Sequence, residues 1–150
     1  MNDKSYKIET ITDKDIIEQV LLLFDATFPC PLSEKVVNLR DYARKLAENA
    51  VVNIVSLENK IIGFIAYYCN DKLTKQAYLT QIAVAEDFRE LRIGSALLEL
   101  CIETSKQNGM EKLICEVDDT NFGALKFYAK RGFVFLKKAS DCSQYLDKKL

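Results

Sequence analysis

The sequence contains no histidine. That excludes nucleophilic arrangements of the Ser-His-Asp and Cys-His kind, in which an imidazole moves the proton. It also leaves any cysteine pair without the nitrogen ligands that complete a mixed zinc site. The five cysteines are Cys30, Cys69, Cys101, Cys115 and Cys142. An odd, scattered set with no CxxC spacing does not form a disulfide framework, so free thiols in a reducing compartment are expected and no metal is. No charge of one sign prevails. Lys and Arg total 21 and Asp and Glu 22, a net charge of −1, which argues against a nucleic-acid partner held by a basic face. No apolar run approaches the roughly 20 residues that cross a bilayer, and residues 1–10 carry no charged-then-apolar leader. The expectation is a cytoplasmic protein without membrane contact. An enzyme made from this inventory works by direct transfer, or through carboxylate, tyrosine, lysine or backbone groups.

Apolar residues make up 49% of 150 residues, enough for one core and short for two, so a single domain over 1–150 is expected. Residues 6–11 alternate as a strand. Thr12, with Asp15 three residues on, offers a capping box. A helix should follow with Ile16, Ile17, Val20, Leu21, Phe24 and Phe28 on its inner side. The only prolines, Pro29 and Pro31, interrupt it. Ser33 is placed to cap a second helix with the stripe Val36, Leu39, Tyr42, Ala43, Leu46 and Ala50. Residues 51–57, 61–69 and 76–84 read as three strands of an antiparallel meander separated by polar turns. The pattern then changes to a charged loop at 86–92, a helix over 93–107 stopped by Asn108-Gly109, a strand over 112–117, a helix over 121–131, and strands over 133–137 and 144–150. A strand-helix-strand step after a meander implies a mixed α/β fold whose sheet is parallel only near its middle.

Chemistry concentrates in YLTQIAVAEDFRELRIGSALL, residues 78–98. A strand runs through a short loop into a helix, whose first N–H groups lack intrahelical partners and, with the helix dipole, suit a pyrophosphate. Gly94 lets a phosphate approach the backbone. Arg89 and Arg92 add positive charge; Glu86, Asp87 and Glu90 oppose it unless they point away.

The segment RELRIGSALLE, 89–99, resembles the acetyl-CoA signature of the GNAT N-acetyltransferases, Q/R-x-x-G-x-G/A before an apolar helix. Arg89 matches the first position and Gly94 the second glycine, while Arg92 stands in place of the first glycine. Downstream, VDDTNFGALKFYAKRGF, 117–133, is similar to the family's N-x-x-A-x-x-x-Y-x-x-x-G-F, through Asn121, Ala124, Tyr128, Gly132 and Phe133. The resemblance implies the GNAT fold, a central mixed, splayed sheet flanked by helices. It implies acetyl-CoA as cosubstrate and direct transfer of acetyl to a primary amine, with no covalent intermediate. It also implies that Ile82, Ala83 and Val84 hold pantetheine and polarise the thioester carbonyl by main-chain groups. Leu91, Ile93, Ser95 and Phe127 join Arg89, Arg92, Gly94, Asn121 and Ala124 as cofactor-binding positions, and Tyr128 is the proton donor to the departing thiolate.

Two strands that splay apart would leave the backbone groups such chemistry needs unpaired, so the strand ending at Val84 is expected to diverge from the one beginning at Lys112. Glu116, Asp118, Tyr78 and Thr80 are candidates for the general base, beside relay through water. Lys126, Lys130 and Arg131 are within range of phosphates, and Phe28, Tyr42, Tyr67 and Tyr145 are available to line an acceptor site. The expected acceptor is a small amine metabolite or amino sugar, handled by a monomer or homodimer. The alternatives are a non-catalytic acyl-CoA-binding module and an acetyltransferase of protein N-termini or lysines.

Overall fold

The computed structural model describes residues 5–27 and 38–150. Phe28, Pro29, Cys30, Pro31, Ser33 and Val36 lie outside the described residues, so the expected cap of the second helix and the first residue of its stripe are not placed.

Seven strands form one sheet: β1 (Lys7–Ile11), β2 (Val51–Leu57), β3 (Lys60–Tyr68), β4 (Gln76–Val84), β5 (Lys112–Asp118), β6 (Val134–Ser140) and β7 (Ser143–Lys149), in the order β1-β2-β3-β4-β5-β7-β6. Every pairing is antiparallel except β4 with β5. The β2–β3 hairpin closes with Leu57 opposite Lys60, so its loop is the two residues Glu58 and Asn59. Both adopt positive φ, 51° and 66°, as a two-residue turn matched to strand twist requires.

Among the described residues four α-helices cover the sheet: α1 (Lys14–Phe24), α2 (Leu39–Asn49), α3 (Ile93–Gln107) and α4 (Phe122–Ala129). The first is capped by Asp13 and not by Thr12. Its carboxylate accepts from the N–H of Asp15 at 2.8 Å, and its negative charge complements the helix dipole where a hydroxyl would not. The inner stripe is Ile17, Val20, Leu21 and Phe24. Ile16, expected with them, is 39% exposed, because a stripe at i, i+3, i+4 and i+7 leaves the preceding residue about 100° away. Asn38 caps α2, its side chain accepting from the N–H of Asp41.

The two faces carry separate cores. On one, α1 and α2 pack Ile17, Leu21, Phe24, Ala43 and Leu46 onto Val52, Ile54, Phe64, Ala66 and Ala83. On the other, Ile93, Leu97, Leu98 and Cys101 of α3 and Tyr128 of α4 meet Ile62, Ile65, Leu79, Leu113, Cys115 and Val117. No helix among the described residues is long and apolar enough to cross a membrane.

Two features of β4 position the site. Its ladder with β5 runs only from Gln76↔Lys112 to Leu79↔Cys115, although both strands continue, so beyond Leu79 the two strands part. The register with β3 also slips, from Tyr67↔Leu79 to Ala66↔Gln81, which makes Thr80 the extra residue of a β-bulge. Side chains alternate across a strand, so one extra residue exchanges the faces. Ala77 and Leu79 lie in the core beneath α3. Past Thr80, Ile82 and Val84 take over that side and Ala83 turns into the opposite core.

Candidate active site

Between β4, α3 and α4 lies an open cleft of about 560 Å³. Its floor is Ile82, Ala83 and Val84, and its far wall is Asn121, Gly123, Ala124 and Phe127 of the β5–α4 segment. Arg89, Arg92, Gly94 and Ser95 form the near wall, with Arg131 across from them. Ten expected cofactor positions therefore meet in one place. Leu91 and Ile93 do not line it. The side chain of Ile93 is fully buried under α3, and Leu91 packs against the same core. Only the backbone of these two residues belongs to the approach.

The start of α3 has no side-chain cap, and its first turn directs N–H groups of residues 93–95 away from the helix. Arg92 precedes them at φ 58° and ψ 30°, in the left-handed region. This is the conformation in which glycine is without strain, and a residue with a Cβ costs roughly 1 kcal/mol there. A Cβ added at Gly94 would lie 3.6 Å from two ring carbons of Phe127, an ordinary contact. The protein's own packing therefore accepts a side chain at Gly94, and the space its hydrogen leaves belongs to the cleft.

The arginines are held differently. Arg89 Nε donates to the carbonyl of Val84 at 3.2 Å, which ties the loop back to the end of β4. Arg131 lays its guanidinium 4.0 Å from the centroid of the Phe127 ring and donates to the Phe127 carbonyl at 2.8 Å and to Ser95 Oγ. Sequence spacing places Arg131 one turn beyond Phe127, which signals the stack. Its link to α3 depends on how α3 and α4 pack. Lys126 and Lys130 are exposed and do not line the cleft.

A second cleft of about 430 Å³ passes through the gap between the parting strands and shares Ile82, Asn121 and Ala124 with the first. It contains Thr80 and Gln81 from β4, Cys115 to Asp118 from β5, and Ser140, Cys142 and Ser143 from the β6–β7 turn. Tyr128 lines the second cleft beside Asn121 and Ala124, two of the residues that both clefts share. Its ring packs edge-on against Phe127 and Phe133, at centroid distances of 5.2 Å and 5.1 Å, and the residue is 4% exposed. Its hydroxyl makes no hydrogen bond to the described residues. Burial first, then the nearby Cys115 and Cys101, holds this phenol well above its usual pKa, so it keeps its proton across the physiological range. Burial likewise pushes the Cys115 thiol up to about 12.

Of the base candidates, Glu116 is exposed to this cleft and accepts from Ser143 Oγ at 2.6 Å, and Asp118 accepts from the backbone and hydroxyl of Thr120. Tyr78 is raised by burial and then by the charge of Glu116. Thr80 Oγ1 lies 3.1 Å from the hydroxyl of Tyr42, which brings Tyr42 to the bulge. Tyr145 pairs with Glu116 across β5 and β7. Tyr67 does not line an acceptor site. It is fully buried and donates to Asn53 Oδ1 at 3.0 Å, in the core beneath α3, because strand alternation puts it on the same face of β3 as Ile65.

Comparison with known proteins adds the following. The family model described as Acetyltransferase (GNAT) family matches residues 17–133. Streptothricin acetyltransferase A of Bacillus subtilis is 41% identical over 78 residues, 52% of this chain and 44% of the relative. An N-alpha-acetyltransferase of Sulfolobus acidocaldarius is 26% identical over 141 residues, 86% of this chain and 80% of the relative. A GNAT family acetyltransferase from Elizabethkingia anophelis, solved with acetyl-CoA bound, superposes with a TM-score of 0.73 at 22% identity, covering 99% of this chain and all of the other. The chain spans less than half the length of the first of these relatives.

Proposed function

The chain belongs to the GNAT acetyltransferase family, and on that premise we propose that it transfers acetyl from acetyl-CoA directly to the primary amine of a small metabolite or amino sugar. One observation carries the reading: two clefts share Ile82, Asn121 and Ala124, Tyr128 lines the second, and the first is lined, among the described residues, by three arginines and no carboxylate beside an uncapped helix start. That combination suits a polyanion bearing a long, mostly apolar arm, and the open space over Gly94 suits a phosphate close to the backbone.

The N–H groups of residues 93–95 and the guanidinium groups of Arg92 and Arg131 bind the pyrophosphate, while Arg89 holds the loop. Beyond Leu79 the side of β4 facing β5 has no ladder partner, so alternate backbone groups of residues 80–84 are free to bind an amide arm. The cosubstrate supplies an acetyl thioester. A backbone N–H from this edge stabilises the negative charge that develops on the carbonyl oxygen, the largest single effect in acyl transfer. The new N–C bond forms as the C–S bond breaks, and the departing sulfur takes a proton from the Tyr128 hydroxyl. A phenol held above its usual pKa still serves here, because the same burial makes a thiolate strongly basic, as the Cys115 thiol in the same wall shows. The amine loses its proton to water in the cleft or to a carboxylate on its wall.

Relatives named streptothricin acetyltransferase and N-alpha-acetyltransferase both occur, and the small-amine reading is supported by the second cleft, whose volume of about 430 Å³ suits a small acceptor. Thiol release from acetyl-CoA across a panel of amines tests the proposal. Turnover with at least one small amine is expected, together with a rise in melting temperature on adding CoA. No stabilisation at millimolar CoA would refute it.

A further inference from the structure

Two changes in pairing fall on adjacent residues of β4. Its ladder with β5 ends at Leu79↔Cys115, and the next residue, Thr80, is the extra one between Tyr67↔Leu79 and Ala66↔Gln81 on the β3 side. In a regular strand, neighbouring side chains point to opposite faces. Here two neighbours reach one atom. Thr80 Oγ1 lies 3.1 Å from the hydroxyl oxygen of Tyr42, and Gln81 Nε2 donates to that oxygen at 3.3 Å. Leu79 before them and Ile82 after them pack on the α3 side, so both residues turn to the face that α2 covers. Tyr42 belongs to α2, 38 positions from Thr80 in the chain.

Resting on the acetyltransferase reading above, we infer that Tyr42 is a positioning residue for the transfer: its hydroxyl clips the bulge at Thr80 and so fixes which backbone N–H groups of β4 face the gap left by β5.

A bulge stays where its surroundings hold it. Backbone N–H groups alternate between the two edges of a strand. If the extra residue moved one place along β4, the residue it passed would exchange the edge its N–H faces. Residues 82–84 floor the first cleft, so a slip toward them would shift the donor aimed at the thioester carbonyl by one residue, about 3.3 Å. The clip has a firm base, because Ala43 and Leu46 on either side of it along α2 are fully buried against the sheet. Gln81 donates to the phenol oxygen, which leaves the phenol proton for Thr80 Oγ1. One hydroxyl thus marks both residues of the bulge, and both line the second cleft.

The test combines kinetics with a double-mutant cycle. Tyr42→Phe keeps the ring and removes both bonds. Its kcat for acetyl transfer should fall roughly ten- to a hundredfold, with the KM for acetyl-CoA and the calorimetric affinity for CoA little changed. Thr80→Val should lower kcat in the same way, and the double variant should lose no more than the worse single one, because both break one contact. Asp13→Ala, which loosens the α1 cap on the same layer, should leave kcat as it is. Hydrogen exchange of the amides of residues 80–84 should quicken in Tyr42→Phe by about tenfold or more, while Leu97, Leu98 and Cys101 of α3 keep their protection. Losses that add in the double variant would overturn the inference. So would a Tyr42→Phe variant in which only the KM for the amine rises, the mark of direct contact with the acceptor, or an Asp13→Ala variant with the same fall in kcat. Absent thiol release by the wild type with every amine would strike the activity instead. Exchange at 80–84 then judges the clip separately, and unchanged exchange there would overturn it.

Discussion

At the scale of single residues, the roles proposed for Tyr128 and Gly94 are distinguishable by experiment. Tyr128→Phe removes one hydroxyl that has no partner in the described residues, so the fold should survive. Its kcat should fall roughly ten- to a thousandfold with CoA affinity little changed, which steady-state kinetics and CoA titration would read. Unaltered kcat would end its role as proton donor. Gly94→Ala should behave in the opposite way. The added methyl meets Phe127 at an ordinary distance and removes a glycine from a helix, so melting temperature should hold or rise. CoA affinity should drop about tenfold, near 1.4 kcal/mol, because that methyl occupies the space a phosphate needs. A variant that loses stability instead would mean the glycine serves packing. Both residues were legible from their motifs. Arg131 was legible only as one of three basic residues near α4, since its bond to Ser95 joins two helices 36 positions apart.

At the scale of elements, caps separate fold from function. Asp13 caps α1, far from the clefts, and Asn121 Oδ1 accepts from the N–H of Ala124 at 3.2 Å while lining both of them. Asp13→Ala and Asn121→Ala should each cost about 1 kcal/mol in denaturant unfolding. Only the second should also weaken CoA binding and turnover; equal activity in the two variants would remove Asn121 from the site. Element types and order followed from periodicity. Boundaries moved where a better acceptor stood one residue on, as at Asp13, or where a turn closed in two residues, as at Glu58 and Asn59. The bulge at Thr80 had no sequence signal, because an extra residue in a strand is defined by its partner strand.

At the scale of the whole molecule, the absence of histidine and the buried thiols and phenols shape the pH response. Burial raises Cys69, Cys101 and Cys115, and likewise Tyr67, Tyr78 and Tyr128, so these groups stay protonated in the folded state at pH values where the unfolded chain ionises. Their contribution is fully present below about pH 8.5, where unfolded thiols begin to ionise, and declines as pH rises toward about 12. Asp71 and Asp119 are lowered, by hydrogen bonds from Thr74 and from Lys138, so their contribution is present above the ordinary carboxylate range and is lost as pH falls below it. Melting temperature should therefore be flat from about pH 5 to 8 and fall steeply above 9; a step near pH 6.5 would contradict this.

What the sequence determined by itself was local and periodic: which segments are strands and helices, that the sheet is mixed, and that most of the residues singled out in 82–95 and 121–127 line one cleft. Hydrophobic spacing and short motifs act within a few turns of chain, so they survive without a third dimension. Tertiary structure alone decided the point, just past Leu79, at which β4 leaves β5, the exchange of faces at Thr80, and the withdrawal of Tyr67 and Ile93 into the core. Each of these depends on residues far apart in the chain meeting across the sheet, and pairing of that range leaves no mark on either partner's own sequence.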